Sequence, residues 1–356
     1  MSAKIPVCVT GVGGGGVGEQ IIKALLLADT PYYIVGTDTN AYSAGFFLVD
    51  YPAVLPHASQ SDYIPRLLEV CKKRHVKAIF PGSELELKIL SAHRELIANE
   101  GIVLFVNSQK VIDACLDKLA TFAQLDGLGF NVPTFKCVES LEDIELLSYP
   151  QVFKPAVGGG GSVDTLIIQN AEEALLFCQY LLNIYPKFIA QEYIGSAETE
   201  YTACVLSDLD GNFINSIVLH RDLSSALSRR IRVPNRTSRK DLGENLIISS
   251  GISQGKIGSY PVVAGSCKEI ARTLDSRGPL NIQCRVMNEK VWVFEINPRF
   301  SGTTTMRAMV GFNEPDILVR KHLLDQDITQ GFEYKYGVFK RRLTECLCEE
   351  STASIS

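Results

Sequence analysis

Phe153-Lys154-Pro155-Ala156-Val157-Gly158-Gly159-Gly160-Gly161-Ser162 is the stretch on which the reading of this chain turns. A strand, Gln151 to Ala156, presents a lysine and then feeds four glycines and a serine. Glycine backbone lets several N–H groups wrap an anion because no Cβ obstructs them, and the lysine adds a point charge. The order differs from a Walker A loop, where the lysine follows the glycines. A mobile phosphate-covering loop fits this pattern; a flexible hairpin is the plainer alternative.

A second glycine run lies far upstream, Gly11-Val12-Gly13-Gly14-Gly15-Gly16-Val17-Gly18. It follows a strand at Ile5 to Val9 and precedes a helix from about Gly18 to Leu27, the context of a dinucleotide-binding turn with Asp38 as ribose partner. The same turn is also a packing device in doubly wound sheets. Strands at Tyr32 to Gly36, Ala78 to Phe80 and Ile102 to Val106 alternate with helices at Tyr63 to Arg74 and Glu84 to Ala98, which predicts a parallel sheet. Beyond a boundary near 107–115 the pattern changes. Asp113 to Gly127 reads as helix. Strands are expected at Thr165 to Ile168, Phe188 to Tyr193, Glu200 to Leu206, Phe213 to Leu219, Leu280 to Met287 and Val291 to Ile296. Asp210-Gly211 and Asn288-Glu289 form hairpin turns.

The last two strands carry a third constellation. Alternation puts Glu295 and Asn297 on one strand face, and pairing across the turn brings Gln283 beside them. One carboxylate with two amide oxygens is a hard site suited to Mg²⁺ on nucleotide phosphates, and Arg299 can reach the same phosphates. A structural salt bridge is the alternative.

Lys plus Arg number 35 against 40 Asp plus Glu, a net charge of −5 that argues against a broadly basic nucleic-acid binder. No apolar run approaches the ~20 residues of a membrane span, and Met1 to Pro6 lacks a signal-type apolar segment. The ten cysteines form no C-x-x-C pair, so reduced structural thiols and a cytoplasmic location are expected.

Several motifs occur in order. They are Asp117-Lys118 before a helix, Gly129-Phe130-Asn131-Val132-Pro133, the Lys154 loop, Gln191-Glu192-Tyr193-Ile194 and Glu200-Tyr201-Thr202. Gln283, Glu295-Ile296-Asn297-Pro298-Arg299-Phe300-Ser301-Gly302 and Gly311-Phe312-Asn313-Glu314-Pro315 complete the set. Together, over residues 110–325, they resemble the ATP-grasp superfamily, and within it the carbamoyl-phosphate-synthetase-like branch. The resemblance implies an α/β pre-ATP-grasp domain with a parallel sheet over 1–110. An α+β ATP-grasp domain over 111–330, with a lid subdomain at about 120–195, would follow, then a C-terminal extension over 331–356, whose last six residues, Ser351 to Ser356, read as disordered from their own composition. It assigns ATP and Mg²⁺, with Mn²⁺ as substitute. Lys118 and Lys154 would meet the nucleotide phosphates, and Gly158, Gly159, Gly160, Gly161 and Ser162 would form the lid loop. Glu192 and Ile194 would meet adenine, and Glu200 the ribose hydroxyls. Gln283, Glu295 and Asn297 would hold metal, and Arg299 would act on the transferred phosphoryl group with Lys154. It also makes the first glycine run a structural turn without NAD.

The sequence departs from carbamoyl phosphate synthetases in carrying one ATP-grasp unit and no glycine- and histidine-containing loop; Arg229 to Lys240, rich in arginine, stands in its approximate place. Within that run Arg232 alternates with Ile231 and Val233 as on a strand edge and is expected to hold the carboxylate to be phosphorylated; a solvated surface loop is the plainer alternative. The expected enzyme is a ligase that activates a small-molecule carboxylate as an acyl phosphate and couples it to an amine, with no nucleic-acid or membrane partner; a homodimer is compatible with this reading. The rivals are a carbamate- or bicarbonate-phosphorylating enzyme of the same fold, an NAD(P)-binding oxidoreductase and a non-catalytic ATP-binding regulator.

Overall fold

In the computed structural model, which describes residues 3–158 and 162–347, the first unit is a five-stranded parallel sheet. Its strands are β1 (Ile5–Thr10), β2 (Tyr32–Asp38), β3 (Tyr51–Val54), β4 (Ala78–Phe80) and β5 (Val103–Leu104), in the order β3-β2-β1-β4-β5. Apolar residues run almost continuously along β1 and β4 because both faces are covered. The covering helices are α1 (Val17–Leu26), α2 (Tyr63–Lys73), α3 (Glu84–Ala92) and α4 (Arg94–Asn99). The single helix expected over Glu84 to Ala98 is thus broken at His93. Ser83 caps α3 through the Glu86 N–H.

Two short helices, α5 (Gln109–Leu116) and α6 (Lys118–Gly127), replace the one expected helix. Asp117 breaks it: its extended backbone ends α5, and its carboxylate caps α6 on the Leu119 and Ala120 N–H groups. Next come β6 (Phe135–Val138), β7 (Gln151–Pro155), β8 (Leu166–Ile168), α7 (Ala171–Leu182) and β9 (Phe188–Glu192). These four strands form an antiparallel sheet, β6-β9-β7-β8, with α7 packed on one face over Phe153, Ile168 and Phe188.

The largest sheet is antiparallel and built from β10 (Glu200–Ser207), β11 (Phe213–Arg221), β14 (Gly255–Ile257), β15 (Pro279–Met287), β16 (Lys290–Asn297) and β17 (Gly337–Phe339). Its order is β16-β15-β10-β11-β14-β17. A separate hairpin, β12 (Arg229–Pro234) with β13 (Asn245–Ser249), lies between β11 and β14 in the chain. Helix α8 (Pro261–Thr273) covers one face of the large sheet. Helices α9 (Thr304–Met309) and α10 (Glu314–Leu323) pack against α1. Part of the segment expected as an extension, Gly337–Phe339, is an edge strand of this sheet. β17 pairs with β14, and the Gly331 N–H donates to the Ile214 carbonyl. The expected disorder of Ser351 to Ser356 falls outside the described residues.

Candidate active site

A cavity of about 410 Å³ opens between the three sheets. Its floor is the polar end of β10, β11, β15 and β16. Register places Arg285 opposite Glu200, Gln283 opposite both Thr202 and Glu295, and Asn281 opposite Asn297. Side chains two apart on a strand share a face. Glu200 and Thr202, Asn281 to Arg285, and Glu295 and Asn297 therefore present polar rows to one space, while the alternate residues Ala203, Ile282 and Ile296 enter the apolar core under α8.

Lys154 enters from β7. It is only 8% exposed, and its Nζ donates to the Phe294 carbonyl at 3.2 Å. Burial lowers its pKa to about 7; the carboxylate of Glu295 opposes the shift and the charge of Lys118 adds to it. Lys118 stands at the start of α6, where its Nζ donates to the Gly158 carbonyl at 2.6 Å. Two cations thus approach one wall near a single carboxylate, an arrangement that leaves room for anions. Ser162 hydrogen-bonds the Ser249 carbonyl. Gly159, Gly160 and Gly161 lie outside the described residues.

On the β9 side, Glu192 is paired with Arg239 at 3.3 Å. The Ile194 carbonyl accepts from Arg285 at 3.0 Å, while the Ile194 N–H has no partner among the described residues. Glu200 is almost fully buried. Arg285 forks onto its Oε2 at 3.1 and 2.9 Å, and Arg221 stands 3.2 Å from Oε1. This carboxylate is therefore the counter-ion of two arginines, which weakens its expected role as a free acceptor for ribose hydroxyls. Arg285 keeps its proton more firmly than usual: burial works against it, and Tyr193 and Glu200 outweigh the penalty.

Asn297 donates to Glu295 Oε1 at 3.1 Å, and the second carboxylate oxygen has no hydrogen-bond partner among the described residues. An unpartnered carboxylate oxygen beside an amide oxygen, with no sulfur or imidazole donor, fits a hard cation such as Mg²⁺. Among the described residues no three His, Cys, Asp or Glu side chains gather as a metal cluster. Any ion must therefore complete its shell with phosphate or water oxygens. The Gln283 oxygen, expected as a third ligand, accepts instead from Arg221 at 3.0 Å. Arg299 is anchored by Glu84 of α3 at 2.8 Å and touches Asn297 Oδ1 at 3.2 Å.

The structure does not bring Arg232 to this cavity. Its strand alternates as expected, with Ile231 and Val233 packed on Leu242 and Leu246, but the arginine points to the exposed side. Arg221, Arg285 and Arg299 line the cavity in its stead. Arg285 was within reach of the sequence, two residues beyond Gln283 on the same strand. Arg221 was not, because it follows the apolar run that marks β11. Gly14, Gly15, Gly16 and Val17 of the first glycine run also line the cavity. The backbone N–H groups of Gly13 and Gly15 are taken by Asp38 at 2.7 Å and Glu19 at 2.6 Å.

Fold, cavity and motif order together define an ATP-grasp architecture. A model described as the PylC-like N-terminal domain matches residues 12–105, and one described as ATP-grasp in the biosynthetic pathway with Ter operon matches residues 249–344. The arginine-specific carbamoyl phosphate synthase large chain of Bacillus subtilis (strain 168) is 26% identical over 226 residues, 61% of this chain. The match covers 20% of that protein, so the chain spans about a fifth of the length of this relative. Among solved structures, an L-amino acid ligase from Bacillus licheniformis superposes with a TM-score of 0.64 at 16% identity, over 91% of this chain and 75% of that one. The D-alanine–D-alanine ligase of Bacillus anthracis, solved with ATP, gives 0.57 at 14% identity, over 91% and 98%. The biotin carboxylase domain of Hydrogenobacter thermophilus 2-oxoglutarate carboxylase, solved with MgADP and bicarbonate, gives 0.62 at 13% identity, over 90% and 70%. The chain has the fold of these ATP-grasp ligases, and its sequence likeness lies on the carbamoyl phosphate synthase side.

Proposed function

We propose that this chain is an ATP-dependent ligase that activates a carboxylate and couples it to an amine. The observation that carries this reading is the convergence of Lys118, Lys154, Glu295, Asn297 and Arg299 on one cavity. Nucleotide phosphates lie under the Gly158–Ser162 loop against the two lysines, and adenine meets the Glu192–Ile194 backbone, where the Ile194 N–H awaits an acceptor. Glu200 contributes by fixing Arg221 and Arg285. Glu295 and Asn297 hold magnesium, which when bound neutralises phosphate charge.

The carboxylate oxygen attacks the γ-phosphorus and ADP leaves. The amine then attacks the acyl carbon, phosphate leaves with the bonding pair, and the amine proton passes to solvent. Orientation and charge neutralisation carry such a reaction, so no nucleophilic side chain is required. Arg299, held against Glu84 on one side, supplies a guanidinium to the transferred group.

Likeness to carbamoyl phosphate synthase favours a second reading in which bicarbonate or carbamate is phosphorylated. A magnesium-dependent ADP-release screen over amino acids and other carboxylates, with product masses recorded, separates the two. A condensed product supports the ligase; ADP release driven by bicarbonate without an organic acid supports the alternative. No release with any acid or bicarbonate defeats both.

A further inference from the structure

Arg221 sits on the cavity floor with its side chain 2% exposed and held on several sides. Its Nη1 donates to Ser249 Oγ at 2.9 Å and to Gln283 Oε1 at 3.0 Å, and its Nη2 to the Ser250 carbonyl at 2.8 Å. Its buried Nε has no partner. Glu200 is already neutralised by the Arg285 fork. The row Arg285–Glu200–Arg221 therefore holds two cations for one anion. A surplus buried charge is costly unless an anion lies near, and Glu295, cross-strand partner of Gln283, is the next carboxylate along the floor.

We propose that Arg221 withdraws Gln283 from the metal-binding set, so that the protein offers a divalent cation only Glu295 and Asn297 and the site takes one cation per nucleotide. The inference rests on the nucleotide reading given above. One lone pair of the Gln283 oxygen is occupied by a guanidinium N–H. A cation bound to the other, at the ~2.1 Å of a Mg²⁺–oxygen bond, would lie within a few Å of a fixed positive charge in a weakly screened place. Arg221 cannot retreat, because Ser249, Ser250 and Glu200 hold it. Asn297 also accepts from an arginine, but only at 3.2 Å, and Arg299, held by Glu84 and the Phe300 carbonyl, is 16% exposed where Arg221 is 2%, so water or phosphate can screen its charge. Two adjacent cations would each need protein oxygens flanking a shared carboxylate. With Gln283 withdrawn, one side of Glu295 has none.

Manganese stands in for magnesium because both prefer oxygen ligands, and its free ion is counted by electron paramagnetic resonance. The full chain is titrated with Mn²⁺ at saturating ADP, and ADP binding without metal is measured separately by equilibrium dialysis. One bound Mn²⁺ per bound ADP is expected. Gln283→Leu should leave Mn²⁺ affinity within about twofold, and Glu295→Gln should weaken it at least tenfold. Arg221→Met, which frees the glutamine, should add a second bound ion; Gln283→Leu, a change at the cavity surface, carries the test if that variant fails to fold by circular dichroism. A second Mn²⁺ on the wild-type chain, or a tenfold loss in Gln283→Leu, overturns the inference and leaves the nucleotide reading standing. Absence of ADP binding overturns both.

Discussion

The two glycine runs have nearly the same composition, and their described residues stand among opposite charges. Around Gly11–Gly18 stand three carboxylates. Asp38 and Glu19 accept the backbone N–H groups of Gly13 and Gly15, and Glu86 Oε2 would lie 2.4 Å from a Cβ on Gly11. Burial raises the Glu86 pKa, and the hydroxyls of Ser83 and Tyr63 satisfy its oxygens. Around Gly158 stand Lys118 and Lys154, and a Cβ on Gly158 would meet nothing within 4 Å. Two amides of the first run are taken by carboxylates, whereas Gly158, the described glycine of the second, borders open space beside two lysines. Glycine supplies access to the backbone; neighbouring charge decides what may use it.

The largest test of this contrast is removal of the charge beside the second run. Lys154→Met should lower ADP release by ~10²–10³-fold, the scale for losing one preorganised electrostatic group, while thermal stability holds or rises. Asp38→Asn at the first run should leave turnover within about twofold. Equal losses in the two variants would erase the distinction.

Proton linkage gives the next effect. Lys154 has a pKa of about 7 in the free protein, and bound phosphate should restore its proton. Calorimetry at pH 8 in buffers of different ionisation enthalpy should show uptake of nearly one proton on ADP binding, lost in Lys154→Met. The folded pKa lies below the ordinary lysine value of 10.5, so between about 7 and 10.5 the unfolded chain binds more protons. This group's contribution to stability therefore rises with pH across that window, and below it a constant penalty remains.

Matched alanine substitutions give a smaller effect. Both Gly11 and Gly158 have positive φ, +58° and +74°, so each variant carries left-handed strain of ~1–2 kcal/mol. Gly11→Ala adds the clash with Glu86 and should lose more in denaturant melts, whereas Gly158→Ala should lose less stability and raise the KM for ATP. The smallest effect is a null result: equilibrium dialysis with millimolar NAD or NADP should show no binding, and saturable binding would reverse the reading of the first run.

Local pattern made much of this legible in the sequence. Period-two alternation placed Gln283, Glu295 and Asn297 together, and the extended Ile231-Arg232-Val233 segment was read correctly as a strand. What alternation cannot tell is which side of a strand faces a cavity formed by distant elements, and this misplaced Arg232. Glu200 and Gln283 were read as free ligands because the arginines that engage them come from other strands, Arg221 lying 21 residues beyond Glu200 in the chain. Charge pairing of that kind is set by sheet order, β15-β10-β11, which no local window contains.

The distribution of apolar packing has a mechanical consequence. One buried cluster runs without interruption from Val7, Val9 and Ile21 of the parallel sheet to Leu206, Ile217, Phe312 and Leu318 of the large sheet and α10. Those two units share one interior, which swinging them apart would open to water. The four-stranded unit has its own cluster under α7. It joins the remainder through Ile189 and a thin layer of Val152, Ile167, Leu242 and Leu246. The least interior is therefore shared where this unit, with Lys154 on β7, meets the strand that carries Glu295, so a relative displacement there would disrupt the smallest apolar contact.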